Sequence, residues 1–536
     1  MNASPPRIIG VAGTGTMGAG IAELACLSGA STLLHDPLPD ALEAGVDRIR
    51  SSLERSVKRG RLGASAAEAA AARLERAEEL DALAPCELVI EAAPESLELK
   101  RGLFERLAEI VSARCVLATN TSSLPVTAIA AGVASPERVV GMHFFNPAPV
   151  MRLLEVVAGE DSSPQALARA RAAGEAMGKH VIVAADGPGF LVNRCARPFG
   201  LEATRLLQEG MAPLEEIDRI CRLGGGFRMG PFELADLVGL DTRLSVERSF
   251  YEQSYGEPRW RPSPITARLV AAGRLGRKSG RGFYDYADAE QRRPDPEPPA
   301  PGGGDGLVVI AGLSPLAEEL AQAAHGAGWE VALPTEARES GAVPELILDA
   351  SLPGEEPEAP LQGGPQAISC AAASLAALDP GGGCVGFHAL PPLTDSHLVE
   401  LTRGPDSSEA AVAAAQRFFA TVGKHTAWVG DGPGLVLGRI VSQLVNEAAF
   451  ALQEGVGSAE DIDAGLVYGM NYPRGALAWG DEIGLDHVLA VLDGLFDERH
   501  EERYRAAPIL RARVWSGRLG RQTGEGFFAY ETELAR

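Results

Sequence analysis

Residues 7–36 read RIIGVAGTGTMGAGIAELACLSGASTLLHD. The apolar run Ile8, Ile9, Val11, Ala12 has the make-up of a buried parallel strand. It enters Gly13-x-Gly15-x-x-Gly18, and a helical stretch from Met17 to Ser28 follows. A second apolar run, Thr32 to Leu34, ends in Asp36. Strand, glycine turn, helix and second strand in that order make one βαβ unit carrying a dinucleotide fingerprint in the context that gives it meaning. Gly13 is expected to make the tight turn, Gly15 to let the backbone approach a pyrophosphate, and Gly18 to let helix pack on strand. The diphosphate then rests on unpaired N–H groups and the positive end of the helix dipole, with Thr16 and Met17 in the first turn. Asp36 comes eighteen residues after Gly18, where an acid accepts from a ribose 2′-OH and repels a 2′-phosphate. The expected cofactor is therefore NAD rather than NADP.

At 536 residues the chain is too long for one core, so several domains are expected. A net charge of −23 argues against nucleic acid and anionic membrane surfaces as partners. The seven cysteines are scattered without C-x-x-C or any metal-ligand spacing, which predicts no metal, reduced thiols and a cytoplasmic location. The N-terminal M-N-A-S-P-P does not read as a signal peptide, and no run of about 18 apolar residues is present to span a bilayer.

After Asp36 a helical hairpin is expected over Pro39 to Glu79, with Ser51 and Lys58 seven apart on one face. Three apolar runs then end in polar clusters. Leu88 to Ala93 leads to Glu95 and Lys100, Val116 to Ala118 to Asn120-Thr-Ser122-Ser, and Val139 to Met142 to His143-Phe-Phe-Asn146. Leu153 to Val157 follows with Glu155 inside it. Open α/β sheets bind ligands at such carboxyl ends. From about Val183 the sequence turns helical, and Glu290 to Gly306 is too rich in Pro and Gly to build a core. The remainder repeats the first part: D-G-P-G at Asp186 returns at Asp431, and G-L-D ending at Asp241 returns ending at Asp486, both 245 residues on. The expected architecture is an α/β Rossmann domain (1–184), an all-α helical domain (185–288), a linker (289–305), a degenerate Rossmann-like domain (306–429) and a second helical domain (430–536).

A glutamate in an apolar strand is costly without a partner. If Glu155 accepts from one imidazole nitrogen of His143, it fixes the tautomer and makes the other nitrogen a better base. A base placed so takes a hydroxyl proton while hydride leaves carbon for a nicotinamide.

The set G-T-G-T-M-G-A-G-I-A, V-I-E-A-A-P-E-S-L-E-L-K, T-N-T-S-S-L, M-H-F-F-N-P-A-P-V-M-R-L-L-E-V and D-G-P-G-F-L-V-N-R resembles the (S)-3-hydroxyacyl-CoA dehydrogenases over residues 7 to 286. The chain as a whole is similar to the two-module, phenylacetate-pathway type, whose substrate is 3-hydroxyadipyl-CoA. The resemblance implies that His143 is the general base and Glu155 its partner. It implies that Ser122, Asn146 and Asn193 supply hydrogen bonds around the substrate oxygens and the nicotinamide. Glu95, Lys100 and Asn120 join the cofactor set, and Ser51 and Lys58 match positions that contact CoA. The acyl group, adipyl or butyryl, is left open; a distal carboxylate calls for an arginine, with Arg197, Arg222 and Arg228 as candidates. Pro94 departs from the aliphatic residue expected there.

The second copy keeps His388 and Glu400 twelve apart, as His143 and Glu155 are, yet Asn146 becomes Pro391, Ser122 becomes Ala373, Asn120 becomes Ala371 and Asn193 becomes Gly438. Ser314 and Ala317 stand where cofactor glycines would be. The second copy is thus expected to be structural, its helical domain pairing with the first inside one chain as an internal pseudo-dimer, with further homo-oligomerisation open. Two rivals remain at this point: a catalytically idle NAD-binding scaffold, and a different Rossmann/helical hydroxy-acid dehydrogenase with a lysine base.

Overall fold

The computed structural model describes residues 3–287, 294–353, 355 and 363–531. Residues 289–293 of the expected linker lie outside the described residues, and 294–305 contain no helix or strand.

Eight strands form the first sheet: β1 (Ile8–Ala12), β2 (Ser31–His35), β3 (Leu74–Ala77), β4 (Leu88–Glu91), β5 (Val116–Thr119), β6 (Val139–Phe144), β7 (Leu153–Ala158) and β8 (His180–Ala185). Their order is β3-β2-β1-β4-β5-β6-β7-β8. β4 and β5 are buried at every position, and so read L-V-I-E and V-L-A-T without alternation. All neighbours run parallel except β6 and β7. That exception places His143 and Glu155 as direct cross-strand partners. A short connection folds β7 back on β6; Glu155 lies inside its strand, as its apolar neighbours suggest, and His143 is the penultimate residue of β6. The second sheet holds β9 (Leu307–Ala311), β10 (Glu330–Ala332), β11 (Leu346–Asp349), β12 (Gln366–Ser369), β13 (Val385–His388), β14 (Leu398–Arg403) and β15 (His425–Trp428) in the order β10-β9-β11-β12-β13-β14-β15. Here β13 and β14 form the antiparallel pair, with His388 opposite Glu400.

Two boundaries differ from the sequence reading. The expected hairpin over Pro39 to Glu79 contains helices Pro39–Lys58 and Ala64–Ala71 and then β3, whose L-E-R-A exposes its two charged residues at the sheet edge and offers no apolar run to find. The helical region expected from Val183 starts later, because His180–Ala185 pairs with β7 along its whole length.

By its internal packing the chain forms two compact units, Met1–Arg194 with Glu454–Met470 and Cys195–Gln453 with Asn471–Arg536. The first unit holds the eight-stranded sheet and, from far along the chain, the helix Ala459–Met470, which packs on β7 and β8. The second holds the seven-stranded sheet, the helix Leu214–Leu223 against β14, and the helix Arg197–Gln208 against Leu437–Gln453. Within the first unit Ala185 donates its N–H to Val456 O (2.8 Å) and Arg194 pairs with Glu454 (2.7 Å). Within the second, Gly430 donates to Met211 O (2.7 Å) and Arg439 pairs with Glu209 (2.8 Å). Each pair is the other moved by 245 residues, with the partners exchanged.

Candidate active site

The cofactor cradle begins where β1 ends. Gly13 adopts φ +106° and donates its N–H to His35 O (2.8 Å); a Cβ there would come within 2.6 Å of Ala92 O. Gly18 faces the carbonyl of Gly13 so closely that a Cβ would overlap it, so the turn itself demands this glycine, rather than the helix–strand packing the sequence suggested. Gly15 has nothing within 4 Å of where a Cβ would stand, leaving its face open. The helix Thr16–Leu27 starts there with no side-chain cap, so its first N–H groups and its dipole are offered to an anion. Thr16 is exposed and Met17 half-buried beside that opening.

Asp36 follows β2. Its Oδ2 accepts from Thr14 Oγ1 (2.8 Å) and Thr14 N (3.1 Å), and its Oδ1 from Leu38 N (3.1 Å). A carboxylate has about four acceptor positions, so one remains for a ribose hydroxyl. The open glycine, the uncapped helix and the tethered acid fit a dinucleotide without a 2′-phosphate.

Next to the cradle stands a buried ionic group. Lys100 is wholly buried; its Nζ donates to Glu91 Oε1 (2.6 Å) and lies 3.4 Å from Glu95 Oε2. Thr119 Oγ1 donates to Glu91 Oε2 (2.7 Å). Lys100 holds these two carboxylates in place. Glu95 Oε1 in turn accepts from Thr121 Oγ1 (2.7 Å), Ser122 N (3.1 Å) and Ser123 N (3.2 Å), fixing the loop that carries Ser122. Burial acts to raise the Glu95 pKa, but the Thr121 hydrogen bond and the Lys100 charge outweigh it and hold the carboxyl below its usual value. Asn120 Oδ1 accepts from Phe144 N (2.8 Å), joining the end of β5 to β6. Glu91 escaped the sequence reading because it looks like one more residue of a buried strand.

The reactive pair lies on β6 and β7. His143 Nδ1 is 2.7 Å from Glu155 Oε2, and Glu155 Oε1 accepts from Leu191 N (3.1 Å) and Val192 N (2.9 Å). Glu155 is fully buried and His143 is 4% exposed. The turn before Leu191 has Phe190 at φ +52°, a left-handed backbone that aims two successive N–H groups at one oxygen. With Glu155 as acceptor, the hydrogen of neutral His143 is assigned to Nδ1, and Nε2 keeps its lone pair. Ser122 Oγ lies 3.1 Å from Nε2. The rings of Phe145 (4.6 Å) and Phe190 (5.9 Å) flank the imidazole. Asn146, exposed, and Asn193, half-buried, stand at the ends of the same two loops. Lys179, which the sequence reading missed, anchors the Asn146 loop by donating to Ala148 O (2.6 Å) and Met151 O (2.7 Å); burial pulls its pKa down to about 8.

A cleft of about 600 Å³ runs between the helix Thr16–Leu27, the helix Pro39–Lys58 and the turn Pro147–Val150. Arg48, Ser52, Arg55, Arg59 and Arg61 line it, a basic patch in an acidic chain. Glu23 is the one acid among the lining residues, and burial raises its carboxyl pKa against the opposing effects of Ser52 and Arg55. Ser51 and Lys58 are exposed and do not line this cleft; their neighbours Ser52 and Arg59 do. One residue is about 100° of helix rotation, and the Ser-Ser and Lys-Arg doublets put the same chemistry on both faces. Of the arginines considered for a distal carboxylate, Arg222 is committed to Asp295 and Glu233, Arg228 is exposed, and Arg197 lies over the Phe250 ring at 4.4 Å. Among the described residues there is no group of side chains suited to a metal ion, and no helix long and apolar enough to cross a membrane.

Comparison with known proteins agrees with this geometry. The sequence model for the NAD binding domain of 3-hydroxyacyl-CoA dehydrogenase matches residues 8–187, and that for its C-terminal domain matches twice, at 189–286 and 434–530. The chain is 37% identical to the 3-hydroxyadipyl-CoA dehydrogenase of Escherichia coli (strain K12) over 95% of its length and 97% of that protein. It is 40% identical to a 3-hydroxybutyryl-CoA dehydrogenase of Bradyrhizobium diazoefficiens, over 53% of this chain and 96% of that protein. Among solved structures, a 3-hydroxybutyryl-CoA dehydrogenase from Escherichia coli K12 superposes with a TM-score of 0.80 at 34% identity, covering 96% of this chain and all of that one.

Proposed function

The chain belongs to the 3-hydroxyacyl-CoA dehydrogenase family of NAD-dependent oxidoreductases, and on that premise we propose how its residues carry out the reaction and on which acyl group. The reaction is oxidation of a (S)-3-hydroxyacyl-CoA to the 3-oxoacyl-CoA. NAD, when bound on the glycine turn, supplies the hydride acceptor. His143 Nε2 takes the C3 hydroxyl proton as the hydride departs. The imidazolium so formed is stabilised by Glu155, whose charge is kept in place by the Leu191 and Val192 N–H groups. Ser122, Asn146 and Asn193 orient the substrate oxygens and the nicotinamide amide. The 2.7 Å contact between His143 and Glu155 carries this reading.

We assign the basic cleft of Arg48, Arg55, Arg59 and Arg61 to the phosphates of CoA, with Ser52 and Arg59 in the role expected of Ser51 and Lys58. Guanidinium groups suit phosphate through paired N–H donors. The acyl group is that of 3-hydroxyadipyl-CoA or 3-hydroxybutyryl-CoA, the compounds in the names of the relatives. The mirrored contacts, Arg194 with Glu454 and Arg439 with Glu209, support an internal pseudo-dimer, the self-complementary pairing that two subunits of a symmetric dimer would otherwise make. We propose the domain limits 1–184, 185–288, 306–429 and 430–536 with the linker 289–305; residues 454–470 pack with the first sheet. Seven free thiols suit a cytoplasmic location. The test is the oxidation of NADH by acetoacetyl-CoA, followed by kcat/KM on both hydroxyacyl thioesters. An absence of turnover on either would end the reading.

A further inference from the structure

The second half of the chain supplies a wall behind the reactive pair of the first. Three glycines from residues 454–470 press on the segment that holds Glu155. A Cβ on Gly457 would come within 2.9 Å of Leu191 Cδ1. One on Gly465 would come within 2.8 Å of Val192 Cγ2 and 3.2 Å of Ile182 Cδ1. One on Gly469 would come within 2.7 Å of Leu153 Cδ2, 3.2 Å of Val192 Cγ1 and 3.5 Å of Phe145 Cζ. Leu191 and Val192 are the two residues whose N–H groups fix Glu155, and Phe145 is the ring against His143.

The same stretch is tied to β8 and to the segment just after Val192 by polar contacts as well. Ala185 N donates to Val456 O, Val183 N to Asp461 Oδ2 (3.4 Å), and Arg194 pairs with Glu454. On its outer side Tyr468 packs on His180 (4.7 Å between rings) and under Arg152 (5.1 Å). The mirror helix, Leu214–Leu223, lies against β14 of the other unit and carries Ile220 where this one has Gly465, and Ala212 precedes it where Gly457 precedes this one. Gly224 alone matches Gly469. The fold does not by itself require glycine at positions 457 and 465; glycine stands there in the copy that faces the His143 pair.

We propose that Gly457, Gly465 and Gly469 are positioning residues for the dehydrogenase site: by letting the helix Ala459–Met470 approach Leu191–Val192 closely, they hold Glu155 on His143. This rests on the assignment of His143 as base. Val192 is β-branched and stiff, so a side chain at 465 cannot be accommodated by a rotamer change alone and moves the backbone that donates to Glu155.

The test uses the full chain with Gly465→Val and the milder Gly465→Ala, and, as the control, Gly224→Ala, which mirrors Gly469 at the end of the other helix. Gly465→Val is expected to lower kcat at least about tenfold, a loss on the scale of a disturbed general base. KM for acetoacetyl-CoA and the Kd for NADH should stay within about threefold, because the cleft and the glycine turn are untouched. With Glu155 less firmly held, the imidazolium is less favoured, so the acid limb of the oxidation profile moves to lower pH, by up to about one unit. Gly465→Ala should show the same pattern in smaller degree and keeps the test alive if the valine variant does not fold; Gly224→Ala should leave turnover and the limb in place. An unchanged limb and turnover in a folded Gly465→Val, or equal losses from Gly224→Ala, would overturn the proposal. An NMR titration of the His143 ring in wild type and Gly465→Ala separates the two readings. A displaced midpoint in a chain without dehydrogenase turnover would sink the functional assignment and leave the positioning intact.

Discussion

The chain carries the same pair twice, and the two copies are in opposite chemical states. In the first, Glu155 accepts from His143 Nδ1 and leaves Nε2 to Ser122. In the second, His388 has turned from Glu400 and its Nε2 lies 3.0 Å from Nε2 of His487. Its Nδ1 has no partner among the described residues. Burial pushes the His388 pKa well below its usual value and that of His487 down to about 4, so both rings are neutral at pH 7. Among the described residues Glu400 keeps only the backbone donors Val436 and Leu437, and burial pushes its carboxyl up to about 8. One position explains the divergence. Where the first copy has Asn193 the second has Gly438, and a Cβ there would come within 2.2 Å of His388 Cε1. The missing side chain gives the imidazole a place to go. A shared register is therefore not enough for a shared chemistry; the residue across the loop decides where the ring points.

Substitutions at matched positions separate the two copies. Glu155→Gln should cost turnover by about 10²–10⁴, because the amide can no longer fix the tautomer and stabilise the imidazolium. The mirror change Glu400→Gln should leave turnover as it is, since Glu400 is already protonated at neutral pH; steady-state rates of both check this. Asp36→Ala should weaken NADH binding by about tenfold while NADPH changes little, measured by fluorescence titration. Equal losses would remove the ribose role. Arg59→Ala should raise KM for acetoacetyl-CoA by about tenfold with kcat nearly kept, as befits a phosphate contact remote from C3, whereas Lys58→Ala should change it little.

The smallest effect concerns pH. Glu400 has a folded pKa raised from 4.5 to about 8, so its contribution to stability is complete below pH 4.5 and is lost as pH rises to 8. Glu400→Gln removes that loss. Its melting temperature should gain on the wild type by about a few degrees between pH 5 and pH 9. The histidines act oppositely: His487, depressed from 6.5 to about 4, contributes stability that is lost as pH falls through that interval.

Much of this was legible in the sequence, for physical reasons. The glycine turn and Asp36 are set by local backbone needs, and these show in spacing. The pairing of His143 with Glu155 follows from a polar residue inside an apolar strand, which demands a partner. The exchange of Glu454–Met470 onto the first sheet was not legible. Its contacts join Leu191 to Gly457 and Val192 to Gly465 across more than 260 residues, and no periodicity records such a meeting. Neither was the face that meets the cleft: Ser52 and Arg59 share spacing and chemistry with Ser51 and Lys58, and only packing distinguishes the two pairs.

The account stands on one imidazole working and the other resting. The most direct test sets His143→Gln beside His388→Gln in the acetoacetyl-CoA and NADH assay. His143→Gln should lose turnover by about 10²–10⁴ with NADH affinity nearly unchanged, and His388→Gln should turn over at the wild-type rate. A nearly normal rate in the first variant, or an equal collapse in both folded variants, would contradict it.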